Sequence, residues 1–254
     1  MITGIPRSGT SYITSLLHNF SNSVMLSEPP MLDIMHKPLD RAAKELFDYY
    51  YERVLNHKSV TNKFLSDGTL STDTRTEKPL KNSGVHEFDN NNFVFGIKNT
   101  RTFLARLPGI IEGMPDAKIV VLARNPFDTI GSMRRFAGMG FGPGIHKLAP
   151  FYKNLLGVDL IEMQEDPGFV VWMWRFWTDV IIRYLDDIIF IRYQDLVLTP
   201  AETLDRIIGD WNMGKSLKPT KPSEIRYSRE CMRSGDKELV EKHCKENAEI
   251  LGVW

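Results

Sequence analysis

The chain has 254 residues, of which 42% are hydrophobic and 25% charged. Such a composition excludes disorder, a fibrous repeat and a short peptide module, and the length suits a single domain, residues 1–254, with room for one large insertion. Lys plus Arg number 32 and Asp plus Glu number 32, so no global field draws in nucleic acid or an anionic membrane, and any anion must be recognised locally.

Cys231 and Cys244 are too few for a disulfide framework and read as reduced thiols. No apolar run reaches the roughly 18 residues of a membrane span, and the start lacks a basic segment followed by an apolar stretch. The expectation is a cytoplasmic protein, neither exported nor anchored.

Met1 to Thr3 reads as a short strand, followed by a helix from Thr10 to Phe20 and another from Asp40 to Leu55. Ser66 to Asn92 reads as a long loop, and Phe93 to Ile97 as a strand buried on both faces. Then come a helix at Thr102–Ile111, a strand at Lys118–Ala123 and a helix at Pro126–Phe136. The apolar and flexible Gly138–Gly144 is a second loop, and its Met139 and Phe141 are candidates for contact with an apolar ligand. Helices at Gly168–Leu185, Pro200–Trp211 and Lys237–Leu251, with a strand at Ile188–Ile191, complete the chain. Strands alternating with helices predict an α/β fold with a central parallel sheet. Of Trp172, Trp174 and Trp177, the last two share a helical face while Trp172 points elsewhere, which predicts two in the core and one lining a pocket.

Gly4-Ile5-Pro6-Arg7-Ser8-Gly9-Thr10-Ser11-Tyr12 stands between the first strand and a helix start. A glycine-containing turn feeding a helix N-terminus aims several backbone N–H groups and the positive end of the helix dipole at one point, which suits a phosphate. The spacing matches the opening of G-x-x-x-x-G-K-[ST], but Thr10 stands where the lysine that reaches the outer phosphates of ATP belongs. A tight turn capped by hydroxyls is the plain structural alternative. At the second strand-to-helix turn, Pro126 and Asp128 suit a first helical turn, while Arg124 and Ser132 could meet on one anion if Arg124 folds back from the strand end.

Pro6-Arg7-Ser8-Gly9-Thr10-Ser11-Tyr12 resembles the P-[KR]-S-G-T-[TS]-[WYL] loop of sulfotransferases, which binds the 5′-phosphosulfate end of 3′-phosphoadenosine 5′-phosphosulfate. Arg124 to Ser132 resembles the family's R-[ND]-P-x-D-x-x-x-S, whose Arg and Ser hold the 3′-phosphate. Arg192-Tyr193-Gln194-Asp195-Leu196-Val197 is similar to R-Y-E-D-L-V, and Leu251 to Trp254 to the usual L-G-Y-type ending. The resemblance implies a P-loop NTPase-like three-layer α/β/α fold, with a mostly helical or loop acceptor-binding insertion at residues 29–92. It also implies transfer of a sulfuryl group to a hydroxyl, less readily an amine, of a carbohydrate, lipid or secondary-metabolite acceptor.

By the same resemblance, Arg7, Ser8, Gly9, Thr10, Ser11, Arg124, Ser132 and Tyr193 bind the cofactor, with Arg229 a weaker candidate and Arg134 or Arg135 also within reach. Glu28 matches in spacing the catalytic glutamate of the tyrosylprotein and carbohydrate branch; the K-x-H of the small-phenol branch is here Lys98-Asn99-Thr100, without its histidine. That departure points to Glu28 as base, and to Lys98, with Arg7, as the charge on the departing phosphate. The six histidines form no H-x-x-x-H pair, and a metal is not expected. The rival readings are a P-loop kinase for a small metabolite and a nucleotide-binding protein without chemistry. Oligomeric state is not legible.

Overall fold

The computed structural model of the chain describes residues 1–30, 39–73, 80–84, 93–135, 149–150, 152–154, 157–163, 166–209 and 225–254. Five parallel strands form one sheet in the order β2-β5-β1-β6-β7: β1 Ile2–Gly4, β2 Ser23–Ser27, β5 Val94–Lys98, β6 Val120–Ala123 and β7 Ile189–Arg192. β3 Val60–Phe64 and β4 Leu80–Gly84 pair antiparallel as a separate hairpin. The sheet is three-layered with its helices, as the α/β expectation requires, because alternate residues of each strand feed opposite cores. In β6, Val120 and Leu122 join a cluster with Ile13, Leu17, Leu196 and Leu204, whereas Val121 and Ala123 join one with Leu46, Leu104, Trp174 and Trp177.

α1 Thr10–His18 follows β1, α2 Leu39–Leu55 precedes the hairpin, and α5 Pro126–Arg135 follows β6. The helix expected at Thr102–Ile111 is two short ones, α3 Arg101–Ala105 and α4 Leu107–Gly113. The break falls at Arg106, whose φ of −115 is non-helical, and Pro108 is tolerated because it opens a new helix, where its missing N–H costs nothing. Past a short turn at α6 Leu160–Met163, α7 Phe169–Arg183 carries the tryptophans. Trp174 and Trp177 are fully buried, while the Trp172 ring packs against His243 with centroids 4.3 Å apart and the planes tilted by 43°. α8 Tyr193–Leu198 and α9 Pro200–Ile208 follow β7, and the expected C-terminal helix is interrupted at Cys244 into α10 Asp236–His243 and α11 Lys245–Ile250.

Two further differences bear on the site. Ser23–Ser27 is a strand, buried at all five positions, that the sequence did not announce. Ser66–Asn92, expected as loop, contributes β4, which pairs with β3 from Val60↔Gly84 to Phe64↔Leu80; the polar stretch Lys81-Asn82-Ser83 has no alternation to betray it. The hairpin is fastened to the outer edge of β2 by the buried Asn62, whose Oδ1 accepts from the Ser27 N–H at 2.9 Å and whose Nδ2 donates to the Met25 carbonyl at 2.9 Å. Gly138–Gly144, with Met139 and Phe141, lies outside the described residues.

Candidate active site

In a parallel sheet the ligand crevice lies outside the carboxyl ends of the strands, where the connections diverge in opposite directions. Here β1 is that point: its helix leads to β2 on one side, and β6 lies on the other. Each strand ends in one of the residues singled out above: Arg7 after β1, Glu28 after β2, Lys98 in β5, Arg124 after β6 and Tyr193 after β7. They surround a cleft of about 260 Å³, lined also by Gly9 to Tyr12, Thr72, Asp73, Thr100, Arg101 and Arg226.

The loop after β1 is held tightly. Gly4 has φ of +144, and a Cβ there would lie 2.3 Å from the Leu122 carbonyl oxygen, so only glycine lets the loop cross β6. Ile5 N–H donates to that same carbonyl at 2.9 Å. Ser8 is buried beneath the loop, with its hydroxyl at 2.6 Å from the Ile5 carbonyl and 3.1 Å from that of Leu122. It therefore shapes the loop from below. Arg7 at φ 73 and Glu28 at φ 50 are two of the non-glycine residues in left-handed backbone, a costly geometry that concentrates where side chains must be aimed.

Arg7 spreads across the cleft: Nε donates to Ser132 Oγ at 3.1 Å, and Nη1 and Nη2 donate to the two Asp73 oxygens at 3.0 and 3.1 Å. Arg226 approaches the same carboxylate at 3.7 Å. Arg124 is only 5% exposed and stacks its guanidinium on the Tyr193 ring at 4.3 Å. Its Nη1 reaches the Arg7 carbonyl at 3.3 Å, but Nε and Nη2 are buried with no hydrogen-bond partner among the described residues. Burial draws this guanidinium below its usual pKa, against the pull of Tyr193 and Asp128. A buried donor left unmade costs the full desolvation of the group, so this guanidinium is poorly satisfied by the described residues alone.

Across the cleft, Lys98 is 2% exposed; its Nζ donates to Glu28 Oε1 at 2.6 Å and lies 3.3 Å from Ser11 Oγ. Lys63, from the hairpin, pairs with Glu28 Oε2. Burial alone would push the Glu28 carboxyl up, but Lys98 and then Lys63 outweigh it and hold the group down at about 2. Burial draws Lys98 down, Glu28 opposes it, and Lys63 and Arg7 add to the depression.

Arg229, Arg134 and Arg135 make ion pairs away from the residues that line the cleft. Arg229 is half exposed and donates to Asp128 Oδ1 at 3.3 Å, outside the cleft. Asp128 also accepts from the Ser228 N–H at 3.2 Å, so this acid of the second turn docks the 225–231 segment. Arg134 is held by Asp236 and Arg135 by Glu230. Sequence reasoning missed Lys63, Asp73 and Arg226; all three lie in segments without a recognisable motif, and only the pairing of β3 brings the first to the site.

A three-layer α/β protein with a glycine-bounded loop after its first strand and a second arginine-bearing strand end is the class these features define. Residues 1–210 match the sulfotransferase family, and the chain belongs to it. Among solved structures, the chain is similar to sulfotransferase STF9 from Mycobacterium avium, at 14% identity and a TM-score of 0.43, over 85% of this chain and 64% of that one. The chain thus spans less than two thirds of that protein's structure. No curated protein matches it. No described helix is long and apolar enough to cross a membrane.

Proposed function

We propose that the protein transfers a sulfuryl group from 3′-phosphoadenosine 5′-phosphosulfate to a hydroxyl of a small-molecule or glycan acceptor. The observation that carries this reading is Arg124, buried against the Tyr193 ring with two donors that have no partner among the described residues, as a site for the 3′-phosphate requires. When bound, the phosphosulfate supplies the sulfuryl group, which passes to the acceptor oxygen as the sulfur's bond to the phosphate oxygen breaks.

Arg124 and Ser132 hold the 3′-phosphate, and the backbone N–H groups opening α1 hold the 5′ end with Arg7, Thr10 and Ser11. Lys98, already within 3.3 Å of Ser11, moves its charge from Glu28 to the oxygen on which negative charge develops. That move also prepares the base. Held at about 2 by two ammonium groups, Glu28 is a weak proton acceptor; losing Lys98 raises its basicity as the acceptor's proton must leave. The positively charged cleft, with Arg7, Lys98, Arg101, Arg124 and Arg226 facing Glu28 and Asp73, suits a polyanionic nucleotide.

Calorimetric titration with 3′-phosphoadenosine 5′-phosphate, beside ATP with magnesium, tests the donor. Micromolar binding of the former, roughly −8 kcal/mol, without binding of the latter supports the reading. The reverse transfers the site to a kinase, which Thr10 in the lysine position argues against.

A further inference from the structure

Glu28 sits at the end of edge strand β2, between β5 on one side and the β3–β4 hairpin on the other. Its N–H is pinned to the Lys98 carbonyl at 2.9 Å, so its backbone is fixed while the carboxylate is aimed by its two cationic partners. Those partners are not equivalent. Lys98 lines the cleft and reaches the donor loop at Ser11; Lys63 does neither.

We propose that Lys63 is a positioning residue for sulfuryl transfer: it anchors the Glu28 carboxylate on the acceptor side of the cleft so that Lys98 can leave it for the donor. The inference rests on the reading of Glu28 as base given above.

The backbone around Lys63 is suited to an anchor. Its N–H donates to Asn62 Oδ1 at 3.0 Å, the same oxygen that receives the Ser27 N–H, and its carbonyl accepts from Ser71 N–H at 2.9 Å. Lys63 and Glu28 are therefore tied to the same amide through neighbouring residues, which sets their backbones at a defined distance from one another. The side chain is 14% exposed, so water competes weakly for its ammonium group. Without it, Glu28 would lose its last counter-ion when Lys98 moves, and the carboxylate could rotate out of line or follow the lysine. The charged groups that face Glu28 among the described residues are Lys98 from β5 and Lys63 from β3; Arg7 of the phosphate loop stands behind Lys98, and Arg101 and Arg226 line the cleft further out.

The test uses the full chain as wild type, Lys63→Met and Lys63→Arg. Three quantities are read: affinity for 3′-phosphoadenosine 5′-phosphate by calorimetry, the Glu28 carboxyl titration by ¹³C NMR of glutamate-labelled protein with Glu28→Gln assigning the resonance, and consumption of the phosphosulfate donor against pH. Lys63→Met should keep nucleotide affinity within about twofold of wild type. Its Glu28 should titrate at higher pH, because one stabilising cation is gone, and its consumption should fall by at least about tenfold, with the acid limb of the profile moved upward. Lys63→Arg should restore the limb. Loss of nucleotide affinity and turnover in the same proportion, or an unmoved Glu28 titration, would overturn the proposal and reduce Lys63 to a fastening of the hairpin. If wild type itself fails to bind the nucleotide, the donor reading falls, while the Glu28 titration still decides whether Lys63 governs that carboxylate.

Discussion

Replacing Arg124 with Met should move stability and affinity in opposite directions. The guanidinium is 5% exposed, Nε and Nη2 have no partner among the described residues, and each buried unmade donor costs about 1–3 kcal/mol. Met preserves an unbranched stem against Tyr193 and removes both donors. Against this relief stand the lost Nη1 bond to the Arg7 carbonyl at 3.3 Å and the lost stacking on Tyr193 at 4.3 Å, together about 1–2 kcal/mol. The relief of about 2–6 kcal/mol less this loss leaves a net gain of about 0–5 kcal/mol, each kcal/mol raising Tm by roughly 2–4 °C in a chain of this size. Affinity should collapse: two charge-assisted bonds to phosphate at about 1.5–3 kcal/mol each amount to a loss between about 10²- and 10⁴-fold. Scanning calorimetry without ligand and titration with 3′-phosphoadenosine 5′-phosphate read the two quantities separately. A variant that is less stable yet binds the nucleotide as wild type does would show that Arg124 holds the fold and not an anion.

Glu28→Gln should leave nucleotide affinity unchanged and lower turnover by about 10²-fold or more, as loss of a general base does; equal damage to both would mark a structural carboxylate. Because Glu28 is held at about 2, below its ordinary 4.5, its contribution to stability is present above pH 4.5 and is lost as pH falls toward 2. Urea unfolding should therefore separate wild type from Glu28→Gln near neutrality and bring them together in acid. Asp73→Asn removes a negative charge that competes with phosphates for Arg7 and Arg226; nucleotide affinity should rise by about tenfold, and weaker binding on titration would mean that Asp73 instead aims Arg7. Gly4→Ala should cost at least about 3 kcal/mol in the same unfolding assay, since its methyl would meet the Leu122 carbonyl oxygen at 2.3 Å; a near-neutral result would refute the close crossing of the loop over β6.

What was legible in the sequence follows from where backbone geometry constrains residue type. Gly4 must be glycine to pass Leu122, and Pro126 and Asp128 must suit a helix start, so the two strand-to-helix turns are written in residues that the backbone geometry itself demands. The doubly buried strands β5 and β6 showed as apolar runs, but Ser23–Ser27, with only three apolar residues between serines, is too short to tell from a loop. Arg106 breaks a helix that periodicity alone would continue, because only tertiary packing decides whether Pro108 ends one helix or opens the next. Lys63 and Asp73 were illegible for another reason: their roles come from where an antiparallel hairpin docks, and a single polar residue in Thr61-Asn62-Lys63-Phe64 carries no trace of that docking.

The amide of Asn62 has a consequence beyond the site. A parallel sheet exposes two borders where main-chain groups are ready to zip onto another molecule. At β2 one asparagine side chain takes both a donor and an acceptor of that border, and at β7 Arg206 takes the Phe190 carbonyl at 3.1 Å. Side chains thus stand in for a sixth strand on either flank. Removing Asn62 would uncover main-chain groups of the β2 border, and self-association visible by light scattering, ahead of any loss of secondary structure, is the failure to expect.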